Sequence, residues 1–292
     1  ICTYVLAIYG GSRSAILLNI PGTPSSAATA LDGYALAQQG LAGQAMGIAT
    51  VGSAIGTIIG LILLTLITPP LGEFALSFGA YEFFWLAVFG VVISGNLSGN
   101  DPIKGWIAGA LGLLVAMVGR EAFHGYERYT FGFVELAGGV ALLSAMVGAF
   151  GFAEVLFVMR RDKEGVMADA SDRVVPRWRD IMLYRWTALR SGVLGTFIGL
   201  LPGVGEDVGA WSSYALAKRL SKTPEKFGKG SVDGLMAAET GNNAAVPGAI
   251  IPVLTLAIPG SGVAAVLMAA MIIHGAQPGP MMMVTTPQMV YD

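Results

Sequence analysis

The sequence predicts an all-α polytopic membrane protein with an internal, inverted repeat, broken helices and re-entrant hairpins. Hydrophobic residues make up 54% of the 292 residues and charged residues only 12%, about half the charged share of a soluble domain. A soluble chain of this length would need more charge on its surface. The 41 glycines favour close packing of helices in lipid, where small residues let backbones approach.

Two stretches of the chain repeat one another, and each contains a Pro-Gly break. Pro21-Gly22-Thr23 corresponds to Pro259-Gly260-Ser261 at an offset of 238 residues. In both, an apolar run stops at Ile-Pro-Gly and restarts as a helix that the hydroxyl residue can cap, with Pro24 at the first helical position of the first copy. Broken helices at corresponding positions of two halves indicate a transporter binding site, in which helix N-termini face an anion.

The first part of the chain is predicted to enter the membrane several times. Residues 1–16 end a membrane segment at a turn over residues 9–14, and a polar stripe follows the first break. A charge-free span runs from Ala42 to Thr68, where Pro69-Pro70 ends it. Further apolar stretches cover residues 81–97, 103–118 and 131–159, and a polar loop over residues 120–129 precedes the last of them.

Basic residues then mark a cytoplasmic side. Residues 160–190 hold eight of the seventeen Lys and Arg residues, and residues 218–229 hold five more, so both are predicted to be cytoplasmic. The 27 residues between them, 191–217, are too few for two passes of about 20 residues each. They predict a re-entrant hairpin with its tip at residues 201–207.

These patterns divide the chain into three parts. Residues 1–159 form a first repeat unit and the transmembrane helices after it, residues 160–190 a basic cytoplasmic connection, and residues 191–292 a second repeat unit with the re-entrant hairpin. Because the chain opens inside an apolar stretch at Ile1, we expect the first unit to lack its start and the second its end.

Two groups of polar residues are candidates for binding a coupling ion. Asp32 shares a helix face with Ser25 and Thr29; it is either an interfacial helix-end residue or an intramembrane acid, which is a functional candidate. Glu239, with Asn242 and Asn243, either caps the next helix or forms a sodium site of hard oxygen ligands. The acids at the predicted hairpin tip, residues 206 and 207, are weaker candidates because water at the tip would solvate them.

Other classes of function find no support. The sequence contains no nucleophile-elbow, Walker or dinucleotide motif, so it gives no reason to expect an enzyme. Neither of the two histidines has neighbours at metal-ligand spacing, and the net charge of −2 gives no reason to expect nucleic acid. Arg13 either anchors a helix at the interface or faces a substrate carboxylate.

Seven strings of the sequence together resemble a known family. The strings are Tyr9–Ser12, Ala15–Pro24, Ala28–Tyr34, Leu201–Gly203, Pro224–Gly230, Asn242–Ala245 and Ile258–Ser261. They are similar to the large membrane subunit of the tripartite tricarboxylate transporters, the TctA type. The resemblance implies a multi-pass subunit of the bacterial inner membrane that works with a small membrane subunit and a periplasmic solute-binding protein. It also implies symport of a carboxylate with Na⁺ or H⁺, and no cofactor.

We therefore predict a carboxylate site where the two breaks meet near the bilayer midplane. A channel, or a membrane scaffold that uses the same breaks for packing, is the alternative. The halves are not expected to contribute equally, since Asn19 corresponds to Ala257 and Asp32 to Ala270. The predicted substrate residues are Ser12, Asn19, Pro21, Gly22, Thr23, Ser25, Asn243, Pro259, Gly260 and Ser261, and the predicted ion residues are Asp32, Glu239 and Asn242.

Overall fold

The structure is a computed structural model that describes residues 2–96, 102–121, 124–141, 174–176 and 178–282, with isolated positions between 144 and 159. Helices dominate this part of the chain, which confirms the all-α prediction. They are α1 (Cys2–Leu18), α2 (Ser26–Gln38), α3 (Ala42–Leu76), α4 (Ala80–Asn96), α5 (Pro102–Ala116), α6 (Trp178–Leu183), α7 (Arg185–Gly199), α8 (Gly205–Leu220), α9 (Val232–Leu256) and α10 (Gly262–Ile273), with 3-10 helices at Val134–Leu136 and Pro224–Lys226.

The helix α9 forms the centre of the protein. Every residue from Gly234 to Thr255 is buried, and α9 packs against α2, α3, α7 and α8. Glycines make this possible, because a Cβ atom on Gly60 of α3 would lie 2.8 Å from the Ala244 carbonyl oxygen. On the α8 side, a Cβ atom on Gly209 would lie 2.9 Å from that of Ala245. The helix backbones therefore approach as closely as membrane helices with small residues do.

The surface of the protein exposes many large apolar side chains, whereas its interior contains buried polar side chains. One described helix, α3, is long and apolar enough to cross a bilayer, while α1, α10 and the part of α5 from Ile103 are apolar but shorter. Large apolar side chains on α3, α4 and α5 are exposed, among them Leu66, Trp85 and Leu111. An apolar exterior around buried polar side chains suits a protein whose outer face contacts lipid or another membrane segment.

A predicted turn and a predicted helix end are wrong, because helices run through both. Residues 9–14 lie within α1, where Gly11 lets the first break pack on the helix: a Cβ atom there would lie 2.9 Å from the Thr23 amide nitrogen. Pro69 and Pro70 lie inside α3, which continues to Leu76. A membrane helix tolerates such prolines, because ending it would expose more backbone polar groups than each missing N–H leaves unpaired.

The predicted hairpin between the basic segments is formed by α7 and α8. These helices have 15 and 16 residues, which gives lengths of about 22 and 24 Å at 1.5 Å per residue. Each is shorter than the hydrocarbon core of about 30 Å; the re-entrant arrangement of the pair stays a prediction. Most of the predicted basic connection, including residues 160–173, and the last ten residues, 283–292, lie outside the described residues.

The predicted polar loop over residues 120–129 contains a small antiparallel hairpin. Its strands are β1 (Gly119–Arg120) and β2 (Glu127–Arg128), paired in register Gly119 with Arg128. Arg120 Nη2 lies 3.2 Å from Glu127 Oε1, and the hydrogen bond from Arg120 lowers the pKa of the Glu127 carboxyl. The apolar stretch predicted over residues 131–159 begins with the 3-10 helix Val134–Leu136.

The contact between α3 and α9 can be tested at Gly56. A Cβ atom there would overlap the Thr240 carbonyl group, so Gly56→Ala should force the helices apart and destabilise the protein by about 1–3 kcal/mol. A Cβ atom on Gly112 of α5 would meet no described atom within 4 Å, so Gly112→Ala is the matched control. The midpoint of thermal unfolding in one detergent should fall for the first variant only; equal midpoints would contradict the close contact.

Candidate functional site

The two Pro-Gly breaks begin with the same backbone conformation. α1 and α9 are followed by residues with left-handed φ angles, 55° at Asn19 and 56° at Ala257. These positions differ by the same 238 residues as the Pro-Gly pairs. Asn adopts this conformation more readily than other non-glycine residues, whereas at Ala it is unfavourable by roughly 1–2 kcal/mol. Asn19 therefore has a structural reason to stand at the end of α1.

After each left-handed residue the chain folds back onto the helix it has just left. The Gly22 N–H donates to the Gly11 carbonyl oxygen at 3.2 Å, and the Gly260 N–H donates to that of Ala249 at 3.3 Å. These donors and acceptors again correspond at the offset of 238 residues. A Cβ atom on Gly22 would lie 2.7 Å from the Gly11 Cα atom. Glycine is therefore needed where the break returns to α1.

The hydroxyl cap predicted after the second break is confirmed, whereas the prediction that Thr23 caps the first helix is wrong, because the N-cap of α2 is Ser25 and no side chain caps it. Ser261 Oγ accepts a hydrogen bond from the Ala264 N–H at 3.1 Å, which caps α10. Thr23 Oγ1 accepts one from the Ser26 N–H at 3.3 Å, and Ser26 Oγ accepts one from the Thr23 N–H at 3.1 Å. Since α2 itself begins at Ser26, Pro24 lies in the turn before the helix and not at its first position.

A cavity of about 320 Å³ joins both breaks to the turn between α7 and α8. The N-terminal ends of α8 and α10 lie at its walls, and the turn before α2 contributes Gly22, Thr23 and Pro24. Helix N-termini carry unpaired N–H groups and a partial positive charge, so this arrangement can hold an anion. The lining residues are Ile8, Gly22, Thr23, Pro24, Gly203, Val204, Gly205, Glu206, Asp207, Ser261, Gly262 and Val263; we call this space the break cavity.

Tyr4 and Glu206 connect α1 to the break cavity. The Tyr4 hydroxyl donates to Glu206 Oε2 at 2.9 Å, and it lies 2.6 Å from Ser261 Oγ. Glu206 is only 6% exposed, so the expectation that water at a hairpin tip solvates this acid is wrong. Tyr4 was not predicted, because it lies outside both repeated stretches and no local pattern links it to residues more than 200 positions away.

A second polar centre surrounds Glu239 on α9. The Glu239 side chain is fully buried, and its carboxylate accepts hydrogen bonds from Ser12 Oγ at 2.6 Å, from Ser53 Oγ at 2.7 Å and from Thr29 Oγ1. These donors belong to α1, α3 and α2. None of them carries a charge, so the hydroxyls solvate the carboxylate without neutralising it.

Two asparagines extend this centre along the same face of α9, one turn after Glu239. Asn243 Nδ2 donates to Ser53 Oγ at 2.9 Å and to the Glu239 carbonyl oxygen at 3.1 Å. Among the described residues, Asn243 Oδ1 and both polar atoms of the Asn242 side chain are buried without a hydrogen-bond partner. A buried amide left unpaired is unfavourable by about 1–3 kcal/mol, so these atoms point to a ligand or water.

Asp32 is held by a different set of donors. Its Oδ1 atom accepts hydrogen bonds from the N–H groups of Gly228 at 2.8 Å, Gly230 at 2.9 Å and Ser231 at 2.7 Å, and its Oδ2 atom accepts one from the Tyr214 hydroxyl at 2.9 Å. The loop that leads into α9 therefore closes around this carboxylate. Ion binding at Asp32 stays a prediction, and its geometry favours a role in holding the loop.

The structure divides the predicted substrate residues between several places. Gly22, Thr23 and Ser261 line the break cavity; Ser25 adjoins it through a 3.0 Å contact between its Oγ atom and Thr23 Oγ1. Ser12 and Asn243 belong to the centre around Glu239. Asn19 and Pro21 line a separate cavity of about 470 Å³ beside α2, and Gly260 packs against the Gly199 carbonyl group.

Interrupted helices whose N-termini surround a polar cavity define a class of membrane transport proteins. The whole chain, residues 1–292, matches the Tripartite tricarboxylate transporter TctA family, and the protein belongs to this family. Membership confirms the resemblance seen in the sequence. It also places the protein in a family of transporters, not of enzymes.

Two relatives occur in Agrobacterium vitis. An uncharacterized 52.8 kDa protein in the TAR-I ttuC' 3'region is 40% identical over 280 residues, which cover 95% of this chain and 55% of that protein. An uncharacterized protein in the TAR-II ttuC' 3'region is 39% identical over 97 residues, covering 33% of this chain and 40% of that protein. The chain thus spans about half the length of the curated relatives it matches. No solved structure matches it.

The role of Asp32 can be tested by comparing two substitutions. Asp32→Ala leaves three backbone N–H groups, of which that of Ser231 is buried, without their acceptor, so it should lower the free energy of unfolding by about 1–3 kcal/mol. Asp32→Asn keeps one oxygen for these groups and should be much milder, because the Tyr214 hydroxyl can accept from the new amide. Chemical denaturation in detergent measures both. A stable Asp32→Asn protein that has lost ion dependence would instead support ion binding at Asp32.

Proposed function

We propose that the protein is part of a secondary active transporter that takes up a tricarboxylate or a related organic anion, driven by a cation gradient. The break cavity is the observation that carries this proposal. The N-termini of α8 and α10 and the hydroxyls of Thr23 and Ser261 face one space, which suits a carboxylate. Membership of the tricarboxylate transporter family supports the choice of substrate class.

The substrate carboxylate binds at the break cavity, with the first main-chain N–H groups of α8 and α10 as its main donors. Thr23 and Ser261 add hydroxyl contacts, and Ser25 orients the Thr23 hydroxyl. Glycine and proline at both breaks keep the backbone free of side chains where the substrate approaches. The matching φ angles and return hydrogen bonds at the breaks support the idea that they are equivalent elements of an internal, inverted repeat.

The coupling cation binds near Glu239, in the centre formed with Asn242 and Asn243. Carboxylate and amide oxygens are hard ligands, which suit Na⁺. The carboxylate by itself can instead bind H⁺. The unpartnered amide oxygens favour a metal ion, because a proton would need only the carboxylate oxygen. Ser12 and Ser53 contribute hydroxyl oxygens to the same place, so the predicted substrate residue Ser12 is reassigned to the ion.

The transporter works as a multi-pass protein of the bacterial inner membrane, together with a small membrane subunit and a periplasmic solute-binding protein that delivers the anion. The exposed apolar side chains on α3, α4 and α5 support the membrane location, and the family supports the partners. Access alternates when the part of the protein that carries one break moves against the rest.

Reconstitution tests this function directly. The full-length protein is placed in vesicles with its small membrane subunit and the solute-binding protein, and uptake of labelled citrate is followed under a sodium gradient or a proton gradient alone. We expect accumulation above the outside concentration under at least one gradient, and its loss with the matching ionophore. Flux that only runs downhill would favour a channel, and no flux would favour a scaffold.

The contribution of Ser261 to the substrate site can be separated from its capping role. Ser261→Ala removes both a cap and a substrate contact, so the citrate concentration for half-maximal uptake should rise about tenfold, equivalent to about 1.4 kcal/mol. Ser231 caps α9 by accepting from the Gly234 N–H at 3.1 Å and does not line the break cavity. Ser231→Ala should therefore lose similar stability without the change in uptake. Equal uptake curves for both variants would place the substrate elsewhere.

The role of Glu239 is tested by Glu239→Gln, which keeps the size of the side chain and removes its charge. Uptake stimulated by the cation gradient should fall at least tenfold, a loss of about 1.4 kcal/mol or more, while the protein still inserts in the membrane. Glu225→Gln, on the exposed 3-10 helix after α8, is the control and should be unchanged. Cation-stimulated uptake that survives in Glu239→Gln would move the ion site away from α9.

A further inference from the structure

Glu206 is an acid inside the proposed anion site, and the function proposed above gives it no role. It lies at the second residue of α8, lines the break cavity and is 6% exposed. We infer that Glu206 occupies the anion position of the empty cavity and must take up a proton before a substrate carboxylate can bind there. This inference rests on the proposed function, because it concerns the same cavity.

The hydrogen bonds show a direct competition between Glu206 and a substrate. Tyr4 donates to Glu206 Oε2 at 2.9 Å, and the Tyr4 hydroxyl oxygen lies 2.6 Å from Ser261 Oγ. Ser261 Oγ already accepts from the Ala264 N–H, which leaves its own proton for the Tyr4 oxygen. The hydroxyl proposed to hold the substrate is thus part of a chain that ends on Glu206, and a substrate must take its place.

Glu206, Asp207 and a substrate carboxylate would together bring more negative charge into the cavity than its helix N-termini can stabilise. The N-termini of α8 and α10 contribute about +0.5 each, or roughly +1 in total. Ionised Glu206 and Asp207 already exceed this charge. Tyr4 is the titratable group that reaches Glu206 from α1, and the cavity residues from the two breaks, Thr23, Pro24, Ser261, Gly262 and Val263, have no titratable side chains. A further carboxylate would therefore be repelled.

A proton on Glu206 removes this conflict. The proton comes from solution when the anion enters, binds a Glu206 carboxylate oxygen and returns to solution when the anion leaves. Neutral Glu206 is a weaker acceptor, so the Ser261 hydroxyl becomes available to the substrate. Binding of the anion is then linked to uptake of one proton, and the affinity falls as the pH rises. The cation proposed to bind near Glu239 is a separate ion.

The test is a comparison of citrate binding at about pH 6 and about pH 8, measured by titration calorimetry on the full-length protein with its small membrane subunit. Buffers with different protonation enthalpies give the number of protons taken up. One proton taken up per anion gives up to about a hundredfold change over two pH units, so the wild-type protein should bind at least tenfold more weakly at the higher pH and take up protons on binding. Glu206→Gln should bind at the higher pH as the wild-type protein does at the lower, with less proton uptake.

The controls separate this effect from general damage. Citrate titrates identically in every protein, so differences between pH profiles report the protein. Glu225→Gln should keep the wild-type profile. Tyr4→Phe removes the donor that stabilises ionised Glu206, so it should raise the affinity at the higher pH, whereas mere structural damage would lower it. This variant also provides the test if Glu206→Gln does not fold.

The experiment distinguishes failure of this inference from failure of the proposed function. If the wild-type protein binds citrate and Glu206→Gln keeps its pH profile and its proton uptake, the inference is overturned and the proposed function stands. The same holds if Tyr4→Phe binds more weakly at the higher pH. If the wild-type protein binds neither citrate nor other organic anions, the proposed function falls and the inference falls with it.

Discussion

Burial of the Glu239 carboxylate is the constraint on which the rest of the structure depends. A carboxylate inside a protein is strongly unfavourable unless donors replace the water it has lost. Here the donors are three hydroxyls, and each belongs to a different helix: Ser12 on α1, Thr29 on α2 and Ser53 on α3. The polar centre thereby fixes the positions of three helices around α9. An apolar side chain at this position would pack without specifying any of them.

Glycine allows the helices to reach that centre. Gly52 of α3 would place a Cβ atom 3.2 Å from the Glu239 Cβ atom, so a larger residue would push Ser53 out of reach. On the other side, the first break must return onto α1 before α2 can carry Thr29 to the carboxylate. Gly22 permits that return, because its Cα atom has no side chain to collide with Gly11. The Pro-Gly break therefore serves the interior of the protein as well as its cavity.

Sequence patterns predicted what depends on neighbouring residues. The Pro-Gly pairs and the Ser261 cap were found because a break and its cap lie within a few residues. The role of Asp32 could not be found in this way, since three of its donors are backbone N–H groups of a loop almost 200 residues later. Residues 9–14 were mistaken for a turn because glycines at a close helix contact look the same as glycines in a turn.

The inequality of the two breaks has a physical consequence, since α2 connects the break cavity to Glu239. It begins three residues after Thr23, which lines the cavity, and Thr29 donates to Glu239 about one turn later. In the proposed transporter, a substrate that shifts the first break moves Thr29 and so changes the surroundings of the ion. At the corresponding position of α10 the chain has Leu267, which cannot donate. Linkage between anion and cation is reciprocal; under this proposal α2 links the first break to Glu239 directly, whereas the second break is connected to it through Tyr4 and Ser12 of α1.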